Sequence, residues 1–240
     1  MTDWRQRKWM NLFLLGLIAV FVVCLVLLGN WQLRRLEWKN TLVTAIETRA
    51  FAQSEPAPHS SDWEEVSPDT HAYKRVHAEG TLLSEYEITV KALTELGSGY
   101  WVLSPLQRSN GEIIWINRGF VPPDKRLSDS RPKPNPVHVT ATGLLRVTEP
   151  GGTILQANNP ESNRWYSRDV AAFSEYFELP PPAPYFIDAD HIASPREWPR
   201  GGLTKLQFRN NHLQYALTWY AMALFLIAGT GYVIWLARHP

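Results

Sequence analysis

The chain has 240 residues, 45% of them apolar and 20% charged, a balance that excludes disorder throughout and leaves room for one domain of ordinary size plus extra elements. Its 24 basic and 23 acidic side chains give a formal net charge of +1, so there is no field to grip a polyanion and no nucleic-acid partner is expected. A single cysteine, Cys24, excludes an internal disulfide, CxxC redox chemistry, thiolate zinc sites and dithiol copper carriers.

The first apolar segment, Leu12 to Leu28, holds no charge. Met10, Asn11 and Gly29 extend it to a length that crosses ~30 Å of hydrocarbon as a helix. It is too long for the core of a cleaved signal peptide, and no small-x-small site follows it, so a retained anchor is expected. Residues 30–49 contain no Pro or Gly and are rich in Leu, Arg, Glu and Lys, which continues the helix beyond the span. Gln53 to Asp69 carries three prolines and several serines and reads as a loop.

From Tyr73 the pattern turns to β. Arg75–Leu83, Tyr86–Leu93, Tyr100–Gln107 and Glu112–Val121 are short runs of aliphatic and aromatic residues. Gly97-Ser98-Gly99 and Ser109-Asn110-Gly111 separate them as turns, the latter a good hairpin signal. Pro122 to Pro136, with five prolines, is an extended crossing loop, and Val137 to Val147 resumes as a strand. Asp169 to Leu179 is one short helix with Asp169 as its N-cap and Pro180 to Pro184 as its stop; Tyr185 to Asp188 is a further strand. The sum is a small antiparallel sheet or barrel with one helix, without internal repeats.

The second apolar segment, Leu213 to Ala237, is also uncharged and is closed by Arg238-His239-Pro240. The fold class expected is therefore a membrane protein: two transmembrane helices flanking a mainly antiparallel β (α+β) extramembrane domain. Both termini lie on one side, and Trp9, Trp31 and Trp235 stand at the span edges, where such rings prefer the headgroup layer. Arg5, Arg7 and Lys8 on one side of the first span balance Arg34, Arg35 and Lys39 on the other, so charge does not orient it. The amino terminus is too short and apolar for a mitochondrial presequence, which favours a bacterial plasma membrane over an organelle. Gly16 in one span and Ala216, Ala223, Gly229 and Gly231 in the other are small enough for close helix approach.

Enzyme signatures are missing: there is no G-x-S-x-G, H-E-x-x-H, Walker lysine or dinucleotide fingerprint. No two histidines stand at helical ligand spacing. His212 differs by position. It opens the second span, and a helix puts it on one face with Tyr215, Ala216, Trp219 and Ala223. A polar residue at membrane depth tends to be functional, whereas an interfacial histidine that only caps the helix satisfies the same position. Across from it, Trp31, Arg34 or Arg35, and Trp38 share a face as the first helix leaves the membrane. Arginine beside tryptophan suits an anionic group next to a flat apolar one, and membrane lipid headgroups fit that description too.

Several pieces resemble one family. They are Gly29-x-Trp31-Gln32-x-x-Arg35-x-x-Trp38-Lys39, Tyr73-x-Arg75-Val76-x-x-x-Gly80, and Ile116-Asn117-Arg118-Gly119-Phe120-Val121-Pro122. Asn163-Arg164-Trp165-Tyr166-x-x-Asp169, Gly201-Gly202 and Asn210-Asn211-His212-Leu213-Gln214-Tyr215-Ala216-x-Thr218-Trp219-Tyr220 follow. Their order and spacing are similar to the surfeit locus protein 1 (Shy-type) family of cytochrome c oxidase assembly factors, with Phe120 where tryptophan is usual. The resemblance implies no enzyme but a factor that helps to install haem a in the catalytic subunit of a haem–copper oxidase, receiving it from haem A synthase. It implies residues 1–10 and 238–240 in the cytoplasm, spans at 11–29 and 212–237, and a periplasmic region 30–211 with a helical extension at 30–49 and a β domain at about 70–209. It ties haem binding to His212, as iron ligand. The residues expected around the haem are Tyr215, Trp219, Trp31 and Trp38, with Arg35 or Arg209 facing a propionate. His239 stands ~40 Å along the helix and cannot be the second axial ligand in the same chain. A haem A synthase itself would need more spans and more intramembrane histidines. A tethered module that braces an oxidase subunit without touching haem is the alternative, and a homo-oligomer is possible.

Overall fold

A computed structural model of the chain describes residues 4–126, 137–190, 198–204, 206 and 210–239, with the side chains of 4–8 not described. The elements run α1 (Trp4–Ala50), β1 (Glu55–Pro56), α2 (Pro68–His71), β2 (Arg75–Leu82), β3 (Ile88–Thr94), β4 (Gly97–Gln107), β5 (Ile113–Val121), β6 (Val137–Val147), α3 (Val170–Tyr176), β7 (Pro182–Ala189) and α4 (His212–Arg238). The chain divides into two compact units: Met1–Thr44 with Gln207–Pro240, and Ala45–Leu206.

The first unit is a pair of helices, each long and apolar enough to cross a membrane. In α1 the residues turned inward are Ile18, Val22, Leu25, Gly29, Gln32 and Leu36, spaced alternately by four and three. In α4 they are His212, Ala216, Trp219, Ala223, Leu226 and Thr230, with the same alternation. That is the seam of a heptad repeat, and it keeps two helices in contact over several turns. Hydrogen bonds of Asn30 to Tyr220 and of Asn40 to Asn210 show that the helices run antiparallel. Ala216 and Ala223 are buried, as expected of small residues at a seam. Gly16, Gly229 and Gly231 are not used this way: an added Cβ at each meets nothing within 4 Å. The close approach is at Gly29 instead, where a Cβ would run into the Tyr220 ring. Toward the other end the helices flank an apolar groove of about 470 Å3 between Asn11 and Ala237, which accounts for the free space around Gly229.

The second unit is built on one sheet in the order β1-β2-β6-β7-β5-β4-β3, with an additional β2–β4 pairing. That pairing, Thr81 with Gln107 and Leu82 with Leu106, closes β2, β6, β7, β5 and β4 into a five-stranded barrel. Most pairs are antiparallel. The exceptions are β1 with β2 and β5 with β7, so the sheet is mixed. The alternation of β2 places Val76, Ala78 and Leu82 inside, where Leu106, Ile114, Ile116, Leu145, Tyr185 and Ile187 complete the barrel core. β5 is buried on both faces: Ile113 and Trp115 point out of the barrel into a second core with Ile88, Val90, Leu103 and Phe186. α3 covers that core with Val170 and Phe173, and Trp165 fills its end. Asp169 caps α3 by accepting from the Ala172 amide, as the sequence predicts.

Some boundaries differ from the sequence reading for identifiable reasons. Gly97-Ser98-Gly99 lies inside β4, and the turn falls at Glu95-Leu96. The proline run after α3 does not end at Pro184, because β7 begins at Pro182 with Ala183 already buried in the barrel. The stretch read as a loop before Asp69 carries β1, a 3-10 turn over Ser60–Glu65 and the start of α2. The hairpin at Ser109-Asn110-Gly111 stands, with Gly111 at φ +86°. Of the crossing loop after Pro122, residues 127–136 lie outside the described part.

Candidate functional site

The site residues singled out in the sequence all belong to the helical unit. α4 starts without a side-chain cap on Asn211; instead the Tyr215 amide donates to the Asn211 carbonyl. This sets His212 in the first turn, half-buried, with Nδ1 2.7 Å from Gln32 Oε1 on α1. A carbonyl oxygen can only accept, so Nδ1 carries a proton in this contact, and in the neutral ring Nε2 then keeps its lone pair. About two turns further along α4, the Tyr220 hydroxyl donates to Asn30 Oδ1 (2.7 Å), and before His212 the Asn210 side-chain amide donates to Asn40 Oδ1 (2.9 Å). Three polar contacts therefore clasp the two helices around His212.

The predicted face of α4 divides. His212 and Trp219 line the seam half-buried, Ala216 and Ala223 are buried in it, and Tyr215 stands outside, 54% exposed. The indole Nε1 of Trp219 is buried and has no hydrogen-bond partner. On α1, Trp31 and Trp38 are about half exposed, and the Arg35 guanidinium lies 3.9 Å over the Trp38 ring. No hydrogen bond or ring contact among the described residues joins Trp31, Arg35 or Trp38 to His212. Arg209 lies outside the described residues. His239, at the far end of α4, stacks on Trp235. Gln32, Asn30 and Asn40 escaped the sequence reading as partners, because only the antiparallel pairing brings residues 170 to 190 positions apart together.

The sheet domain puts the remaining motif residues to structural use. Asn117 donates to Asp188 (2.8 Å) and accepts from the Gly119 amide, while Arg118 pairs with Glu87 (3.3 Å). Gly119 sits at φ +129° with the Arg200 backbone against it, which leaves no room for a side chain. Asp188, 6% exposed, also meets Arg146 (3.3 Å), Arg168 (3.5 Å) and Thr204 (2.9 Å), and Arg168 forks onto Glu149. Burial raises the Glu149 pKa, but the Arg168 fork outweighs it and holds the carboxyl below its usual range. The network is satisfied and internal, and it offers no open acid/base pair. No group of three or more metal-ligating side chains occurs among the described residues.

The chain matches the SURF1 family model over residues 19–224. It is 33% identical to surfeit locus protein 1 of Mus musculus in an alignment 223 positions long that covers 86% of this chain and 69% of that protein. It is 32% identical to the Homo sapiens protein of the same name in an alignment 239 positions long that covers 92% of this chain and 76% of that protein. For the Takifugu rubripes protein the figures are 31% over 229 residues, 88% and 90%. The chain belongs to the SURF1 family.

Proposed function

We propose that the protein is a membrane-held assembly factor for a haem–copper terminal oxidase of the cytochrome c type, and that it passes haem a, received from haem A synthase, toward the oxidase catalytic subunit. Family membership supports the assembly role, and two helices apolar enough to cross a bilayer support the membrane. In this reading α1 and α4 span a bacterial plasma membrane, with the sheet domain on the periplasmic side and both termini in the cytoplasm. The protein acts as a carrier and not as an enzyme.

The observation that carries the haem reading is the His212–Gln32 hydrogen bond, which engages Nδ1 and leaves Nε2 as the ring atom open to an iron. Were haem a bound, His212 would supply the iron ligand, Trp219, Trp31, Trp38 and Tyr215 would supply apolar surface and Arg35 or Arg209 would meet a propionate; of these, Trp219 shares the helix seam with His212. A carrier with one ligand releases more readily than one with two. The same hydrogen bond supports a second reading, in which His212 only fastens α4 to α1 and the pair braces an oxidase subunit.

The two readings separate on two variants of the full chain, purified from cells that make haem a. His212→Ala removes ligand and fastening together; Gln32→Ala removes the fastening alone. The carrier reading expects a haem spectrum with the unsubstituted protein, its loss in His212→Ala with normal accumulation, and most of it kept in Gln32→Ala. His138, exposed on β6, is the control position; His59 is unsuitable because Arg108 and Glu112 hold it. A full haem spectrum in His212→Ala overturns the ligand assignment, and equal assembly defects in both variants without bound haem establish the bracing role.

A further inference from the structure

The two most exposed large apolar side chains among the described residues, Ile154 and Leu155, are neighbours at the tip of one turn. Leu155 is 92% exposed and Ile154 fully so. Apolar side chains scattered singly over a surface are ordinary, but an adjacent pair at a tip makes one apolar projection. The turn is braced from within. The Thr153 amide donates to the Gln156 carbonyl (2.8 Å) and the Gln156 amide to the Thr153 carbonyl (3.3 Å), so Ile154 and Leu155 are the two residues of a tight hairpin turn. Gly152 pairs with Ala157 below it. The base is tied to the sheet domain: the Gly151 amide donates to Asp169 (2.9 Å) and the Gly152 amide to Ser167 Oγ (3.0 Å). Asn158 accepts from the Tyr166 and Ser167 amides (2.8 and 3.2 Å).

The composition of the hairpin suits a lipid surface. Pro150 to Pro160 carries no charged side chain, in a chain with 24 basic and 23 acidic ones. Such a tip enters the headgroup layer without stripping water from an ion. Its two outermost side chains are aliphatic, among the types that partition best into a bilayer. Protein partners are engaged chiefly through Trp, Tyr and Arg, with Leu under-represented, and Pro150 to Pro160 contains none of those three. Both ends of the sheet domain, at Ala45 and Leu206, continue into the unit whose helices are apolar enough to cross a membrane. A bilayer surface is therefore the apolar phase that the chain itself keeps at high effective concentration around the tip.

We propose that the Ile154–Leu155 tip inserts into the interfacial layer of a bilayer, a point of membrane attachment besides the two helices that needs no anionic lipid. It rests on the membrane reading of α1 and α4 and is independent of the haem reading. The test uses the full-length chain in phosphatidylcholine nanodiscs. Cys24, exposed on α1, is replaced by alanine, and Ile154→Cys carries the environment-sensitive fluorophore NBD. The control carries the label at Ser109→Cys, on the polar tip of the β4–β5 hairpin. Blue-shifted emission is expected at position 154, with quenching by doxyl-labelled phosphatidylcholine several times stronger than at position 109. Adding Leu155→Asp should return the label to a water-like spectrum, because a carboxylate at the tip opposes insertion. Leu155 is exposed, so that variant should melt as its parent does. A chain that does not enter the discs overturns the membrane reading and the proposal with it. A chain that enters them overturns the proposal alone if the label at 154 stays in water, is quenched no more than at 109, or ignores Leu155→Asp. A label in water in lipid discs but shielded in native membrane vesicles also overturns it, and assigns the tip to an apolar pocket on a protein.

Discussion

Glu112 closes the β4–β5 hairpin and also reaches back to the loop after β1. Its carboxylate accepts from the Ser60 amide (2.9 Å) and from Arg108 (3.1 Å), with His59 close by. Burial raises its pKa, but hydrogen bonds from Ser60, Asn110 and Arg108 outweigh this and hold it at about 2. A carboxyl depressed in the folded state stabilises the fold fully above its unfolded value near 4.5, and that contribution disappears as pH falls toward 2. The urea midpoint of the protein should therefore fall between pH 5 and pH 2.5, and fall less in Glu112→Gln. Equal slopes in both would show that the carboxylate is not coupled to folding. The same residue shows how far a sequence can be read. Asn110-Gly111 announces the hairpin, whereas Ser60 is 52 positions away and nothing local marks it as a partner.

For elements, the sequence is most informative where a pattern repeats within one segment. β2 alternates, β5 is a continuous run of mostly apolar residues, and α3 carries its own cap, so each is legible. β1 is two residues long and exists only because Val76 and His77 lie alongside it. The helix seam was partly legible: the heptad alternation is present in both helices, but small size alone picked Gly16, Gly229 and Gly231 instead of Gly29. The difference is the partner. Tyr220 packs its ring on the Gly29 backbone and sends its hydroxyl to Asn30. Gly29→Ala should displace that ring and weaken the pair by about 1–3 kcal/mol. Gly16→Ala should stay within about 0.5 kcal/mol. In a Tyr220→Ala background the Gly29 cost should vanish, a coupling that a double-mutant cycle on thermal stability in micelles would measure. A Gly29→Ala cost unchanged in that background would place the contact elsewhere.

Across the whole molecule, the barrel was expected only as one of two possibilities, because closure depends on two residue pairs between β2 and β4. The parallel β5–β7 pairing likewise needs the chain to leave through β6 and α3 before returning. Each of the two cores draws all its residues from within Ala45–Leu206, which therefore has the means to fold alone. A fragment of residues 45–206 should melt cooperatively by circular dichroism yet fail to restore oxidase in cells lacking the protein. A fragment without a cooperative transition would show that the domain needs its helices. Restored oxidase would show that they serve as tethers only. The candidate site divided in the same manner: His212 was visible from its place at the head of an apolar segment, and its partner Gln32, 180 residues earlier, was not.

That separation has a consequence for how the chain is made. Gln32 and Asn30 are synthesised 180 and 190 residues before the residues that satisfy them, His212 and Tyr220. At typical translation rates the interval is on the order of ten seconds or more, during which the polar groups of α1 have no α4 to meet. The helix pair is thus completed only once α4 has been made, long after α1. Newborn chains pass through a stage in which α1 is open to any other helix offering a matching seam.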